Sequence, residues 1–365
     1  MKIAIFTLDG YFNYGNILQR YALQYFLCGT GGQVDSVWHS SENFMPKMWW
    51  QWEWKDQVKF LLNYKGVRSQ ILSNYHGMEM VRQGKIKDWC DRYINIRKAP
   101  TDLRELVHEY DYFIVGSDQV WNPHFSDLKH CFLFFAPPEK RIAYAASISC
   151  PEIPKEKLAL YQKGLAEMAF ISMREQQGAD MVKDISDRDV PVVVDPTLLL
   201  SPDDWRKVNR QPAWYHGEKY ILTYFLGKRP KIINSLEQKT GLKVVNLLDT
   251  EIYEHYVTGP DELLWAIEHA KLVYTDSFHG TVFSILFHTP FVVCDRVGDR
   301  VTEGMGARFD TLLGFLGLEA RRGTKENDYV IENPLTEPDW SKVDEMLEME
   351  RNRSKDYICK AMEIV

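Results

Sequence analysis

Short apolar runs, each closed by a polar or glycine-bearing turn, alternate along this chain with stretches whose apolar residues recur at helical spacing. In the first half, residues 2–7, 34–38, 110–115, 141–147, 170–173 and 190–194 read as strands. Helices are expected from about residue 16 to the glycine cluster at 29–32, over 79–91 and over 154–168. The stretch from Thr197 to about Gly217 reads as a crossover, after which the alternation restarts. Strands are expected at 220–225, 243–248, 270–274 and 290–294, with helices at 230–240, 260–269 and 281–287, and another from Arg308. A charged amphipathic helix closes the pattern. Strand–helix alternation of this kind predicts an α/β protein with two Rossmann-like, doubly wound domains facing a cleft. The expected boundaries are 1–200 for the first domain, 201–340 for the second and 341–365 for the final helix.

Composition narrows the function classes. At 365 residues, with 45% hydrophobic and 26% charged positions, the chain suits two soluble domains. A net charge of −7 argues against nucleic acid as a partner, since phosphate neutralisation needs a basic surface. No apolar run approaches the roughly 20 residues of a membrane span. The start of the chain reads as a first strand rather than a signal peptide. Six cysteines without a C-x-x-C pair indicate neither zinc nor a disulfide framework, and a cytoplasmic protein with reduced thiols is expected. Residues 45–98 differ from the rest, with Trp49, Trp50, Trp52 and Trp54 followed by basic amphipathic sequence. Two readings stay open there: aromatics covering the sheet, or a peripheral contact with the inner face of a membrane.

The chemistry concentrates where strands end. Asp276-Ser277-Phe278-His279-Gly280-Thr281 lies between a strand and a helix, where free N–H groups and the helix dipole favour an anion. Gly116-Ser117-Asp118-Gln119-Val120-Trp121-Asn122 follows another strand and offers donors, acceptors and a ring, a set suited to a sugar. The loop from Leu8 to Asn16, with Asp9, Asn13 and Asn16, is suited to close approach by a ligand, but its glycines do not fit G-x-G-x-x-G. Asp187-Arg188-Asp189 is a D-x-D, but it sits in a polar turn before a strand, so no metal site is expected from it.

Six segments in order resemble the polysaccharide pyruvyl transferase family. They are Asn13-Tyr14-Gly15-Asn16 with Leu18-Gln19 and Tyr21-Ala22-Leu23, Val115 to Asn122, Tyr144-Ala145-Ala146-Ser147, Ser172-x-Arg174-Glu175, Val194-Asp195-Pro196-Thr197, and Asp276-Ser277-x-His279-Gly280. The resemblance implies a fold similar to the two-domain glycosyltransferase type B arrangement. It implies transfer of the pyruvyl group of phosphoenolpyruvate, a co-substrate rather than a cofactor, to two hydroxyls of a glycan or lipid-linked sugar, giving a ketal. It makes His279 the expected acid and Arg174 and Arg308 candidates for the anion. Asn13, Asn16, Ser117, Gln119, Trp121, Asn122, Ser277, Gly280 and Thr281 are expected around the substrates. The chain departs from better-studied relatives in two places. Ser277 stands where they carry an arginine, so Arg174, Arg308, Arg296 or Arg300 must supply that charge. Asn16 stands where they often carry aspartate, which leaves Asp9 or Asp118 as the base. A nucleotide-sugar glycosyltransferase of the same architecture and a non-catalytic glycan-binding relative remain the alternatives.

Overall fold

The computed structural model describes residues 1–38, 75–124, 127–298 and 306–363. The tryptophan-rich run at 49–54, with its membrane reading, and Arg300 lie outside them.

Strands β1 (Lys2–Phe6), β2 (Gln33–Trp38), β3 (Ile96–Lys98), β4 (Tyr112–Val115), β5 (Arg141–Ala146) and β6 (Phe170–Met173) form one parallel sheet in the order β3-β2-β1-β4-β5-β6. Strands β7 (Tyr220–Tyr224), β8 (Lys243–Leu247), β9 (Leu272–Thr275) and β10 (Phe291–Val293) form a second, ordered β10-β9-β7-β8 and also parallel. Helices of nine or more residues are α1 (Tyr14–Gly29), α2 (Tyr75–Tyr93), α3 (Lys155–Ala166), α4 (Gln176–Ser186), α5 (Pro260–His269), α6 (Phe278–Leu286), α7 (Ala307–Leu316) and α8 (Trp340–Ala361). The two Rossmann-like units expected from the alternation are present.

Side chains on β1 alternate between two cores. Ile3 and Ile5 join Ile17 and Leu18 of α1, while Ala4 and Phe6 join Val115, Tyr161 of α3 and Val182 of α4. The first of these cores does not stop at the unit boundary. It runs on through Val282 and Phe283 of α6 to Val273 and Val293 of the second sheet. The units therefore share a dry layer on one side of their junction. Polar contacts tie the same seam: the Tyr14 hydroxyl donates to Thr258 O, Lys85 pairs with Glu262 at 2.8 Å, and the Tyr256 hydroxyl donates to Glu79 at 2.8 Å. Helix α8 starts beside the second unit, where Asp344 meets His288 at 2.8 Å. It then reaches the first, where the Ser354 hydroxyl accepts from Val194 N at 3.0 Å and Arg351 donates to Leu198 O at 2.6 Å.

Strand β3 and helix α4 stand where no element was expected, and three expected segments fold differently. Residues 190–194 make a single bridge, Val192 to Met173, because Pro191 has no N–H to offer a ladder. The helix expected at 230–240 divides into a 3-10 turn (Lys231–Ser235) and a short helix (Leu236–Thr240). The helix expected at 281–287 begins three residues earlier, since Ser277 caps it.

Each sheet has one switch point, where successive connections leave in opposite directions: β1 beside β4 in the first, β7 beside β9 in the second. In open α/β sheets, ligands bind outside the carboxyl ends of strands at such points. The segments that leave these four strands carry Asp9, Asp118, Leu226 and, at the start of α6, His279.

Candidate active site

The start of α6 is built by local hydrogen bonds. The Thr275 hydroxyl donates to Tyr224 O at 2.6 Å and accepts from Ser277 N at 3.0 Å, locking the turn to its neighbouring strand. The Ser277 hydroxyl accepts from Gly280 N at 3.3 Å as the helix cap. Asp276 accepts from Leu226 N and Gly227 N, both at 2.8 Å, so the loop after β7 is tied to the loop after β9. His279 follows as the second helical residue, 7% exposed and pointing across the junction at the first unit.

Two groups of the first unit receive it. A Cβ placed on Gly15 of α1 would lie 1.9 Å from His279 Nδ1, so only glycine lets the ring come this close to the helix. On the other side, His279 Nε2 stands 3.5 Å from Asp195 Oδ2, within ion-pair reach but without a formed hydrogen bond. Asp195 is 1% exposed and collects donors from several elements. Oδ1 accepts from Thr197 N at 3.0 Å and its hydroxyl at 2.7 Å, while Oδ2 takes Arg174 Nη1 at 3.0 Å and the Ser117 hydroxyl at 3.3 Å. Burial alone would raise this carboxyl. The opposing pull of His279, then Arg174 and Thr197 N–H, outweighs burial and holds it well below the usual carboxylate range.

Arg174 gives its second terminal nitrogen to Asp118 Oδ1 at 3.3 Å. Asp118 sits in the left-handed region (φ 66°), directly after Gly116 (φ 127°) and Ser117. A Cβ on Gly116 would lie 2.1 Å from Tyr144 O, so this loop presses against β5. The Ser117 N–H donates to Gln19 Oε1 at 2.9 Å, which joins the loop after β4 to α1.

Arg308 on α7 is 5% exposed and has no carboxylate within 4.0 Å among the described residues. Its guanidinium carbon lies 5.6 Å from the centre of the Phe278 ring, and that of Arg174 lies 4.6 Å from the same ring. Burial, followed by repulsion from Arg296 and Arg174, pulls Arg308 down to about 9. Several buried polar atoms here form no hydrogen bond among the described residues: His279 Nε2, Nε of Arg174 and Arg296, and Glu175 Oε2 stand 3.5 to 3.8 Å from an opposite charge, and Nε of Arg308 faces no carboxylate within 4.0 Å. Buried polar atoms are nearly always paired, so the unengaged Arg308 guanidinium marks a place suited to an anionic ligand.

The structure thus brings together His279, Asp118, Arg174, Ser117 and Arg308. Other expected residues are placed differently. Trp121 is fully buried, stacked on Phe132 at 5.2 Å with its ring N–H on Cys131 O, so it is a core residue and not a sugar platform. Asn122 is equally buried and bonds to Gln119 Oε1 at 3.0 Å, so that pair stabilises its own loop. Asp9 is paired with Arg20 at 2.7 Å, and Arg20 also holds Ser36 and the carbonyls of Thr7 and Leu8. Asp9 therefore closes its loop. Asn13 caps α1 through Gly15 N, and Asn16 donates to Leu8 O at 2.6 Å. Ser277, Gly280 and Thr281 build the helix start: Thr281 donates to Ser277 O, and a Cβ on Gly280 would lie 2.8 Å from the Thr275 hydroxyl. Arg174, with both terminal nitrogens engaged by carboxylates, is no free anion site. The sequence reading passed over Gly15, Asp195 and Phe278 as site residues, although Asp195 was visible as a carboxylate closing an apolar run. No group of three His, Cys, Asp or Glu side chains suited to a metal ion occurs among the described residues.

The family model for polysaccharide pyruvyl transferase matches residues 13–296, most of the chain and all of these site residues except Arg308. The chain belongs to the polysaccharide pyruvyl transferase family. No curated protein matches it in a sequence comparison. Among solved structures, this family member is similar at 11% identity to Anabaena Alr3699/HepE in complex with UDP and glucose, with 100% of each chain covered and a TM-score of 0.47. It is similar, also at 11% identity, to the UDP-GlcNAc 2-epimerase of Neisseria meningitidis bound to UDP-GlcNAc, with 96% of this chain and 100% of that one covered and a TM-score of 0.39. The glycosyltransferase SnogD of Streptomyces nogalater gives 11% identity, 98% and 99% coverage and a TM-score of 0.39. Overlays this loose say nothing of donor or acceptor.

Proposed function

We propose that this transferase moves the pyruvyl group of phosphoenolpyruvate onto two hydroxyls of a glycan or lipid-linked sugar, forming a ketal at the cytoplasmic side of the membrane. The observation that carries the reading is Arg308, a buried cation without a carboxylate partner among the described residues, packed on Phe278, next to His279 in the sequence at a helix start. A buried, unpaired charge is costly, and an anionic ligand removes the cost. Phosphoenolpyruvate brings both a phosphate and a carboxylate. Arg308, with Arg296 and the first N–H groups of α6, provides for them and replaces the arginine that relatives carry at the position of Ser277.

In this mechanism His279 gives a proton to carbon 3 of the donor, which makes carbon 2 electrophilic. One sugar hydroxyl adds to carbon 2, and phosphate leaves with the electrons of the C2–O bond. The second hydroxyl then closes the ketal. Two hydroxyl protons are released: one restores His279 and the other leaves on phosphate. Asp118, at the mouth of the loop after β4, orients the attacking hydroxyl.

A thermal-shift screen tests the donor. Phosphoenolpyruvate at millimolar concentration should raise the melting temperature by mass action, and UDP- and GDP-sugars should not. The reverse result would favour a glycosyltransferase. With a responsive donor in hand, His279→Ala should lower turnover by about 10²- to 10⁴-fold while the protein still melts cooperatively. Unchanged turnover would remove His279 from the chemistry, and no turnover by the parent on any acceptor would favour a binding protein.

A further inference from the structure

We infer that Asp195 is the positioning residue of His279, and that the His279 proton it faces is the one on Nε2. This rests on the reading of His279 as the acid. The inference begins with Asp195 Oδ2, which lies 3.5 Å from His279 Nε2, 3.0 Å from Arg174 and 3.3 Å from the Ser117 hydroxyl. Thr197 fixes the other carboxylate oxygen with two hydrogen bonds, so the group cannot rotate away. A carboxylate only accepts, and the ring nitrogen that faces it must therefore carry hydrogen. The opposite nitrogen, Nδ1, lies at the seam with Gly15.

The contact also joins the two units. Asp195 belongs to the segment that follows the first sheet, and His279 to the second unit's switch point. The acid is held in a defined orientation only when the units meet. A purely structural Asp195 would serve Arg174, Thr197 and Ser117 alone, and His279 would be indifferent to it.

The experiment is nitrogen NMR of the full-length protein with ¹⁵N-labelled histidine, the His279 signals being assigned by their loss in His279→Asn. No donor is needed, so failure of phosphoenolpyruvate as substrate leaves this measurement intact. In the parent, the neutral ring should be the Nε2–H tautomer; an Nδ1–H ring would overturn the inference. In Asp195→Asn, whose amide can donate as well as accept, the His279 ring resonances should move. With the donor established, kcat should fall on the order of 10²-fold while the donor KM changes by less than about threefold. Unmoved His279 resonances in a folded Asp195→Asn, or a rise in KM alone, would assign Asp195 to scaffolding. If Asp195→Asn fails to fold, the tautomer of the parent decides by itself.

Discussion

Replacing Gly15 by alanine tests the arrangement at its narrowest place. The new Cβ would lie 1.9 Å from Nδ1, 2.5 Å from Cγ and 2.7 Å from Cε1 of His279. Non-bonded carbon contacts settle at about 3.5 Å, so the ring must retreat by roughly 1.5 Å. It cannot do so by a side-chain flip alone, because it is buried at the start of a packed helix. Either α6 moves away from α1 or the ring leaves Asp195. A displacement of about 1 Å can cost on the order of 10² in rate, so kcat/KM should fall at least that far. Stability should change little. Within α1, alanine is favoured over glycine by about 1 kcal/mol, which partly offsets an overpacking cost of about 1–3 kcal/mol. Donor-dependent phosphate release measures the rate, and thermal melting measures the fold. A Gly15→Ala protein that melts like the parent and retains more than half its turnover would refute the reasoning.

Arg308→Met should separate stability from function. Burial, with Arg296 and Arg174 close by, opposes its charge, so the folded state holds the cation at a cost. At neutral pH the variant should melt higher, by roughly 2–4 °C for each kcal/mol regained, and lose protection by phosphoenolpyruvate; differential scanning fluorimetry reads both. Asp195 behaves in the opposite sense. Its depressed folded value contributes stability above the unfolded carboxyl range near about pH 4, and that contribution is lost as the pH falls further. Urea melts from pH 7 to 3 should show a steeper acid loss in the parent than in Asp195→Asn. Trp121→Ala should cost about 3–5 kcal/mol of stability in urea titration, as for a large core truncation, with donor affinity unchanged in whatever fraction stays folded.

Much of the fold was legible because each strand is short, apolar and closed by a polar turn, and because helices such as α5 announce themselves with proline at the first turn. The His279 turn was legible for the same local reason: serine caps, glycine follows, and an anion site is the natural consequence. What stayed hidden depends on contacts between distant segments. Asp195 looks like any carboxylate before a proline until the fold sets it between Arg174 and His279. Gly15 gives no sign that a ring from the other unit will press on it. Trp121 misleads for a related reason, since an aromatic after a strand reads identically whether it faces a cleft or, as here, Phe132. Arg174 and Arg308 are alike in sequence, and only the carboxylates around the first distinguish them.

The path of α8 bears on how the protein is made. Val194 closes the last strand-like segment of the first unit, yet its N–H finds its acceptor on Ser354, 160 positions later. Until the ribosome has delivered that helix, Val193, Val194 and Leu198–Leu200 lack the cover that Leu347, Ile358 and Ala361 help to provide. A nascent chain ending after the first unit is thus sticky rather than finished. The first unit should need a chaperone's shelter during translation, and when expressed alone it should collect in inclusion bodies.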